Sequence, residues 1–446
     1  MAATPPRGSG PWLPIAADVA ADAGGVGQAL DELAAALAPA APTAAADGGP
    51  AGSGALADGP AGLALFFHYL DQARPGQGHD ESAVAHLEAA IAATAATMTV
   101  PGLYGGFSGT AWALEHLTGR LLEPPAPGGE DPGEEVAAAL AAYLRHTPWH
   151  DDYDLISGLV GFGVWAVERA PRSQGEEAAE SVVRRLGELA ERRDDGITWR
   201  TPPERMGSER ESFPEGNYNL GVAHGVPGVI GVLAEMVAAG LAASEARELL
   251  AGAVDWLLAQ ALPAGAPCRF PYSVAPGVES QPSRLAWCYG DPGISLALLD
   301  AARAAGEPEW ERQALATARA AATRPREDGG VADGGLCHGA AGLVHLYNRL
   351  FQATGEPLFR AEAQAWLDRL LAMRQPGKGI AGWRAWRPVG EVVMPKPKLG
   401  WVTDPGFLTG GAGIGLALLG AASPVEPAWD RVLLSSVPPR AAGAES

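Results

Sequence analysis

Cysteine is scarce in this chain: it occurs only at positions 268, 288 and 337 of 446. A chain so poor in thiols does not rest on a disulfide framework, and a cytoplasmic setting is expected. Long apolar runs are missing too. No stretch reaches the ~18 residues of a membrane-spanning helix, so no membrane span is expected. The first residues, MAATPPRGSGPWLP, hold one arginine and no apolar core, which argues against an export signal. Basic residues are outnumbered, 32 against 52 acidic, for a formal net charge of −20. Without a basic stripe to neutralise phosphates, nucleic acid is excluded as a partner. The acidic excess reads as solvated surface and identifies no partner by itself.

Glycine, by contrast, is plentiful, and it is periodic. Seven segments share Gly-x-x-Gly followed by apolar residues: DGPAGLALFFHYL, GGFSGTAWALEHL, SGLVGFGVWAVER, HGVPGVIGVLAEM, YGDPGISLALLDA, HGAAGLVHLYNRL and TGGAGIGLALLGA. Their first glycines are Gly59, Gly106, Gly158, Gly225, Gly290, Gly339 and Gly410. Between them lie Ala-, Leu- and Glu-rich stretches of helical periodicity, such as EEVAAALAAYLRH. Each repeat therefore reads as two helices: an apolar one opening at the glycines, and a charged one outside it. The repeat separations run from 47 to 71 residues, too uneven for a simple stacked solenoid. The predicted fold is all-α: an α/α toroid (double helical barrel) of seven helix pairs with every glycine turn at one end. Residues 12–436 make the toroid, with an insertion at about 186–217. Residues 1–11 and 437–446 are expected to be disordered, and the Pro/Ala run at 38–50 reads as a loop.

Alignment on the first glycine brings the reactive residues into register. Trp287-Cys288-Tyr289 precedes it in repeat five and Cys337-His338 in repeat six; repeat four has His224, and repeat three has Asp154 four positions earlier. A toroid carries these to one mouth. Cys288, Cys337 and His338 make a Cys₂His set that suits Zn²⁺ and leaves a fourth position open. Taken singly, each residue has a plainer reading. A free cysteine is often a small buried hydrophobe, Asp154 can cap a helix, and Arg284 can be an ordinary ion-pair donor. Cys268 as a fourth ligand would instead make a closed structural site.

The set DLISG, NLGVAHGVPG, RLAWCYGDPG and GLCHGAAG, with the seven repeats, resembles the lanthionine synthetase C-like family, the cyclases of lanthipeptide biosynthesis. The resemblance spans about residues 55 to 420. It implies zinc held by Cys288, Cys337 and His338, with His224 and Asp154 as acid/base residues and Arg284 and Tyr289 beside the metal. The implied reaction adds cysteine thiols to dehydroalanine or dehydrobutyrine within one peptide, giving thioether rings of the kind found in lanthipeptide antibiotics. The implied partners are a dehydrated precursor peptide with its leader and a separate dehydratase, since no dehydratase-like or kinase-like segment precedes the barrel. The insertion is a candidate leader-docking surface. Family members that add glutathione to dehydroamino acids, and a non-catalytic zinc-containing peptide-binding toroid, remain alternatives. A glycan-degrading toroid is disfavoured, because such enzymes need paired carboxylates and this mouth offers Asp154, Asp291 and thiols.

Overall fold

The computed structural model describes residues 10–16, 25–38, 54–96, 100–126, 129–170, 172–389 and 398–441. Seven inner helices begin directly after the seven register glycines: α2 (Pro60–Ala73), α4 (Phe107–Leu117), α6 (Leu159–Arg169), α8 (Val226–Ala239), α10 (Asp291–Ala305), α12 (Ala340–Thr354) and α14 (Gly411–Ala422). Six outer helices follow them: α3 (His79–Ala96), α5 (Glu134–Leu144), α7 (Ser173–Leu189), α9 (Ala243–Ala259), α11 (Pro308–Thr323) and α13 (Pro357–Ala372). The seventh outer position is filled from the N-terminal side, by α1 (Val26–Leu37), which packs on α14. Each inner helix touches the next, and α14 touches α2, so the ring closes. The structure is the α/α toroid.

Burial follows composition. Every residue of α14, GAGIGLALLGAA, is buried, as a helix without charge and packed on all sides must be. The outer α7, SQGEEAAESVVRRLGEL, buries Ala178, Ala179, Val182, Val183 and Leu186, one stripe at helical spacing, and turns its acids outward.

The glycine pairs have a steric cause. A Cβ on the second glycine of each pair would be driven into the carbonyl oxygen of the residue three before the first glycine, as at Gly413 against Phe407 and Gly342 against Leu336. Those residues, Leu56, Leu103, Leu155, Val222, Trp287, Leu336 and Phe407, are at most 1% exposed. Burial of each aliphatic member contributes roughly 1.5–3 kcal/mol. One position later, with Leu155 of the core position as the one exception, a belt of backbone hydrogen bonds joins all seven turns. Ala57 donates to Tyr104, Tyr104 to Ile156, Leu155 to Ala223, Ala223 to Cys288, Cys288 to Cys337, Cys337 to Leu408 and Leu408 back to Ala57. The last residue before each glycine (Asp58, Gly105, Ser157, His224, Tyr289, His338, Thr409) is never buried. Three consecutive positions therefore step from core to belt to open mouth.

At the opposite end a C-terminal 3₁₀ segment, Ala428–Leu433, enters the barrel. Trp429, Val432 and Leu433 are buried, and the carbonyls of Val432 and Leu433 accept hydrogen bonds from Tyr104 Oη and Trp287 Nε1 at 2.8 Å each.

Among the described residues, short strands form three antiparallel pairs: β1 (Glu191–Arg193) with β2 (Gly196–Thr198), β3 (Tyr218–Asn219) with β4 (Ser273–Val274), and β5 (Ala385–Pro388) with β6 (Leu399–Val402). Two boundaries differ from the sequence reading. The insertion expected from 186 begins at 190, because α7 buries Leu186 and continues through Leu189. Of the tail expected to be disordered from 437, the described residues 437–441 lie on the body: Val437 is buried and Arg440 N–H donates to Gln352 O at 2.8 Å. Gly10 and Pro11 likewise belong to the described chain. The remaining expectations of disorder, at 1–9 and 442–446, and nearly all of the Pro/Ala run fall outside the described residues.

Candidate metal centre

Cys288 and Cys337 occupy belt positions of neighbouring repeats, and Cys288 N–H donates to Cys337 O at 3.2 Å. That bond fixes the two thiols side by side. His338, one position further out, turns toward the mouth with a quarter of its side chain exposed. The ligand atoms of Cys288, Cys337 and His338 all lie within 4.8 Å of one another. Ordinary Zn–S and Zn–N lengths set tetrahedral ligand separations of roughly 3.4–3.8 Å, so small side-chain shifts close the set on an ion. Gly290, which ends the Cys288 turn, sits at φ 139°, where only glycine is comfortable.

The electrostatics of the pair are asymmetric. Cys288 is held well below the ordinary thiol range by a hydrogen bond from Cys337; His338 and the Arg284 guanidinium add to this against the cost of burial. Cys337, half-buried and the donor in that bond, is pushed up. Two soft sulfurs and one imidazole, one thiol already disposed to ionise, fit a zinc-type cation.

Around this centre stand the other expected residues. His224 Nδ1 meets Asp154 Oδ2 at 2.5 Å, and Asp154 Oδ1 accepts Ser157 N–H at 2.8 Å, so this aspartate both caps its turn and engages the histidine. Burial draws the His224 pKa down, but the hydrogen bond to Asp154 and the Asp154 and Cys288 charges outweigh it, and the net shift is upward. Nearly half of the His224 side chain is exposed at the mouth. Tyr289 stacks beside His224, with ring centroids 6.3 Å apart, and accepts Asn219 Nδ2–H at 2.8 Å. Arg284 Nε donates to Tyr272 Oη at 3.0 Å, and the Tyr272 ring lies 5.3 Å from Tyr289. All seven expected site residues thus gather at one end.

Two other residues do not join them. Cys268 is buried with its sulfur accepting Ser283 N–H at 3.3 Å, and it stands outside the ligand group. Asp291, counted among the mouth's acids in the sequence reading, is 3% exposed and accepts the backbone N–H groups of Arg269 and Phe270 at 2.7 and 3.0 Å. Burial raises its pKa to about 6. It anchors a loop. Conversely, sequence reasoning passed over Asn219, Tyr272 and Asp333. Asn219 and Asp333 share the position six before the glycine, which was a usable signal; Tyr272 lies in a loop outside the register and had none.

The family model for lanthionine synthetase C-like proteins matches residues 50–434. The chain belongs to the lanthionine synthetase C-like family. Among solved structures, nisin cyclase resembles it over 86% of this chain and 92% of that one, with a TM-score of 0.67 and 20% sequence identity. At that identity the likeness speaks for the toroid fold. A sugar epimerase from a ruminal bacterium (TM-score 0.42, 10% identity, 81% of this chain and 86% of that one) is more distant. So is cellobiose 2-epimerase from Bacillus thermoamylovorans (0.46, 10%, 89% and 98%), and neither bears on function here. No helix among the described residues is long and apolar enough to cross a membrane.

Proposed function

We propose that this family member is a zinc-dependent cyclase that closes thioether rings in a dehydrated precursor peptide. The observation that carries the reading is the convergence of Cys288, Cys337 and His338 beside the exposed, Asp154-bound His224. Cys288, Cys337 and His338 would hold the ion. Zinc bound there supplies a cationic centre that keeps a substrate thiol ionised at neutral pH, where a free thiol of pKa ~8.5 is mostly protonated. The protein's own residues handle the proton. Addition of sulfur to the β-carbon of a dehydroalanine or dehydrobutyrine leaves negative charge that needs a proton at the α-carbon. His224 presents Nε2 for that transfer, because Nδ1 is occupied by Asp154. The Asp154 carboxylate shifts its pKa upward and so favours the protonated, donor form. Tyr289, braced by Asn219 and Tyr272, forms a wall beside His224 against which a peptide can be oriented. Arg284, tied to Tyr272, sets a fixed positive charge near the sulfurs. A separate dehydratase would supply the peptide, and a cytoplasmic site suits the free thiols.

Ring closure is an isomerisation, so the test counts thiols at constant mass. Incubation with a dehydrated precursor should remove one alkylatable cysteine per ring, read by alkylation and mass spectrometry. Peptides that stay fully alkylatable while glutathione adducts form would replace this reading with the glutathione-adding one.

A further inference from the structure

Three turns use the position six residues before the first glycine in the same way. Asn219, Asp333 and Asp404 each accept, through Oδ1, the N–H of the residue two further on: Gly221 at 2.8 Å, Gly335 at 3.1 Å and Gly406 at 2.8 Å. That bond shapes the turn. The other side-chain atom is left over, and in each case it addresses a residue at the open-mouth position. Asn219 Nδ2 donates to Tyr289 Oη, and Asp404 Oδ2 accepts Thr409 Oγ1–H at 2.6 Å. In repeat six the mouth residue is His338, and its Nε2 lies 4.0 Å from Asp333 Oδ2. Asp333 is 1% exposed in its side chain, and the same Oδ2 accepts Trp386 N–H, on β5, at 2.8 Å.

We propose that Asp333 is a positioning residue for His338: its buried carboxylate favours the imidazole proton on Nε2 and leaves Nδ1 as the atom that binds the ion. At 4.0 Å the pair exceeds direct hydrogen-bond length, and Asp333 acts through a charge that counts for more in a buried site than in water. A carboxylate behind a ligating imidazole orients the ring and raises its basicity, and its loss typically weakens metal binding 10–100-fold. Asp404 provides the matched control. It makes the same turn, is buried, and holds β5 through Arg387 Nη1 at 3.2 Å, but the mouth residue it addresses is a threonine. The inference rests on the metal reading of the site.

The test uses the full chain and zinc alone, with affinity measured by competition against a chelating dye. Asp333→Asn keeps the Oδ1 contact but removes the charge; zinc binding should weaken roughly 10–100-fold. Asp404→Asn should stay within about twofold of wild type, since no ligand lies beside it. The visible absorption bands of the Co²⁺-loaded protein should shift in Asp333→Asn and not in Asp404→Asn. Asp333→Glu, which restores the charge, should recover part of the affinity and so separates positioning from misfolding. Equal affinities and equal Co²⁺ spectra in the two Asn variants would overturn the assignment while leaving the metal centre intact. A wild-type protein that takes up no zinc would overturn the metal reading itself, and this assignment with it.

Discussion

The two ends of the barrel place charge under opposite conditions. At the far end, Asp430 Oδ2 takes both Arg349 Nε at 2.8 Å and His345 Nε2 at 2.9 Å, with all three side chains at most 1% exposed. Nearby, Glu168 meets His116 Nδ1 at 3.1 Å and Arg431 Nε at 3.3 Å. The entering C-terminal segment supplies Asp430 and Arg431, so their ion pairs with Arg349 and Glu168, flanked by the His345 and His116 hydrogen bonds, seal it into the barrel. At the mouth the groups are as reactive, but they are only half committed. His224 uses one nitrogen and keeps nearly half of its side chain in solvent, and the ligand atoms of Cys288, Cys337 and His338 converge on a common point. Charge that is fully enclosed holds the fold, because removing one member strands the rest. Charge left open at the helix mouths is free to meet a ligand.

Substitutions at the two ends should separate these roles. The largest effect is expected at the mouth: Cys288→Ala or Cys337→Ala should abolish both zinc uptake and thioether formation, while far-UV circular dichroism stays helical. Parallel loss of helix would mean that the mouth, like the far end, holds the fold. His224→Ala should keep zinc yet slow ring closure by roughly 10²–10⁴-fold, the range for a lost general acid or base. Metal analysis and single-turnover rates on the same sample check both halves of that statement.

Asp430→Ala should lower stability by about 3 kcal/mol in urea unfolding, because His345 would lose its carboxylate and buried Arg349 would keep only the part-exposed Glu426. The protein that remains folded should bind zinc with unchanged stoichiometry. A pH series gives a smaller and more specific signal. Burial pushes the Glu168 carboxyl up, but the charge of Arg431 and the hydrogen bond with His116 hold it down at about 2, from an ordinary 4.5. A folded value below the unfolded one stabilises above the unfolded pKa, and that contribution is lost as pH falls from about 4.5 to about 2. In Glu168→Gln the acid-induced drop in stability should shrink by something on the order of 3 kcal/mol. An unchanged acid limb would remove Glu168 from the seal. The smallest effect is expected for Cys268→Ser, which should retain zinc and lose no more than about 1 kcal/mol, since a hydroxyl can also accept the Ser283 N–H. Zinc loss there would restore the closed four-ligand site.

Much of this was legible in advance, and for identifiable reasons. A Gly-x-x-Gly pair is a local steric demand, so all seven inner helices start where the glycines place them. Spacing from those glycines then carried Cys288, Cys337, His338 and His224 into one ring without any knowledge of distances. Asp333 escaped notice because aspartate is common before glycine, and its second oxygen acquires a role only when the turn folds back toward His338. Asp291 misled for the converse reason: one residue beyond Gly290 in sequence, it lies inside the wall rather than at the mouth.

By itself the sequence determined the helix count of the inner ring, its apolar character and the identity of the residues at the mouth, because these follow from local sterics and periodicity. Tertiary structure alone decided that α1 completes the outer ring and that Ala428–Leu433 enters the barrel from the far end. It also decided that Asp154 reaches across 70 residues of chain to His224. Such pairings join segments distant in sequence, and only closure of the ring brings them within hydrogen-bond range.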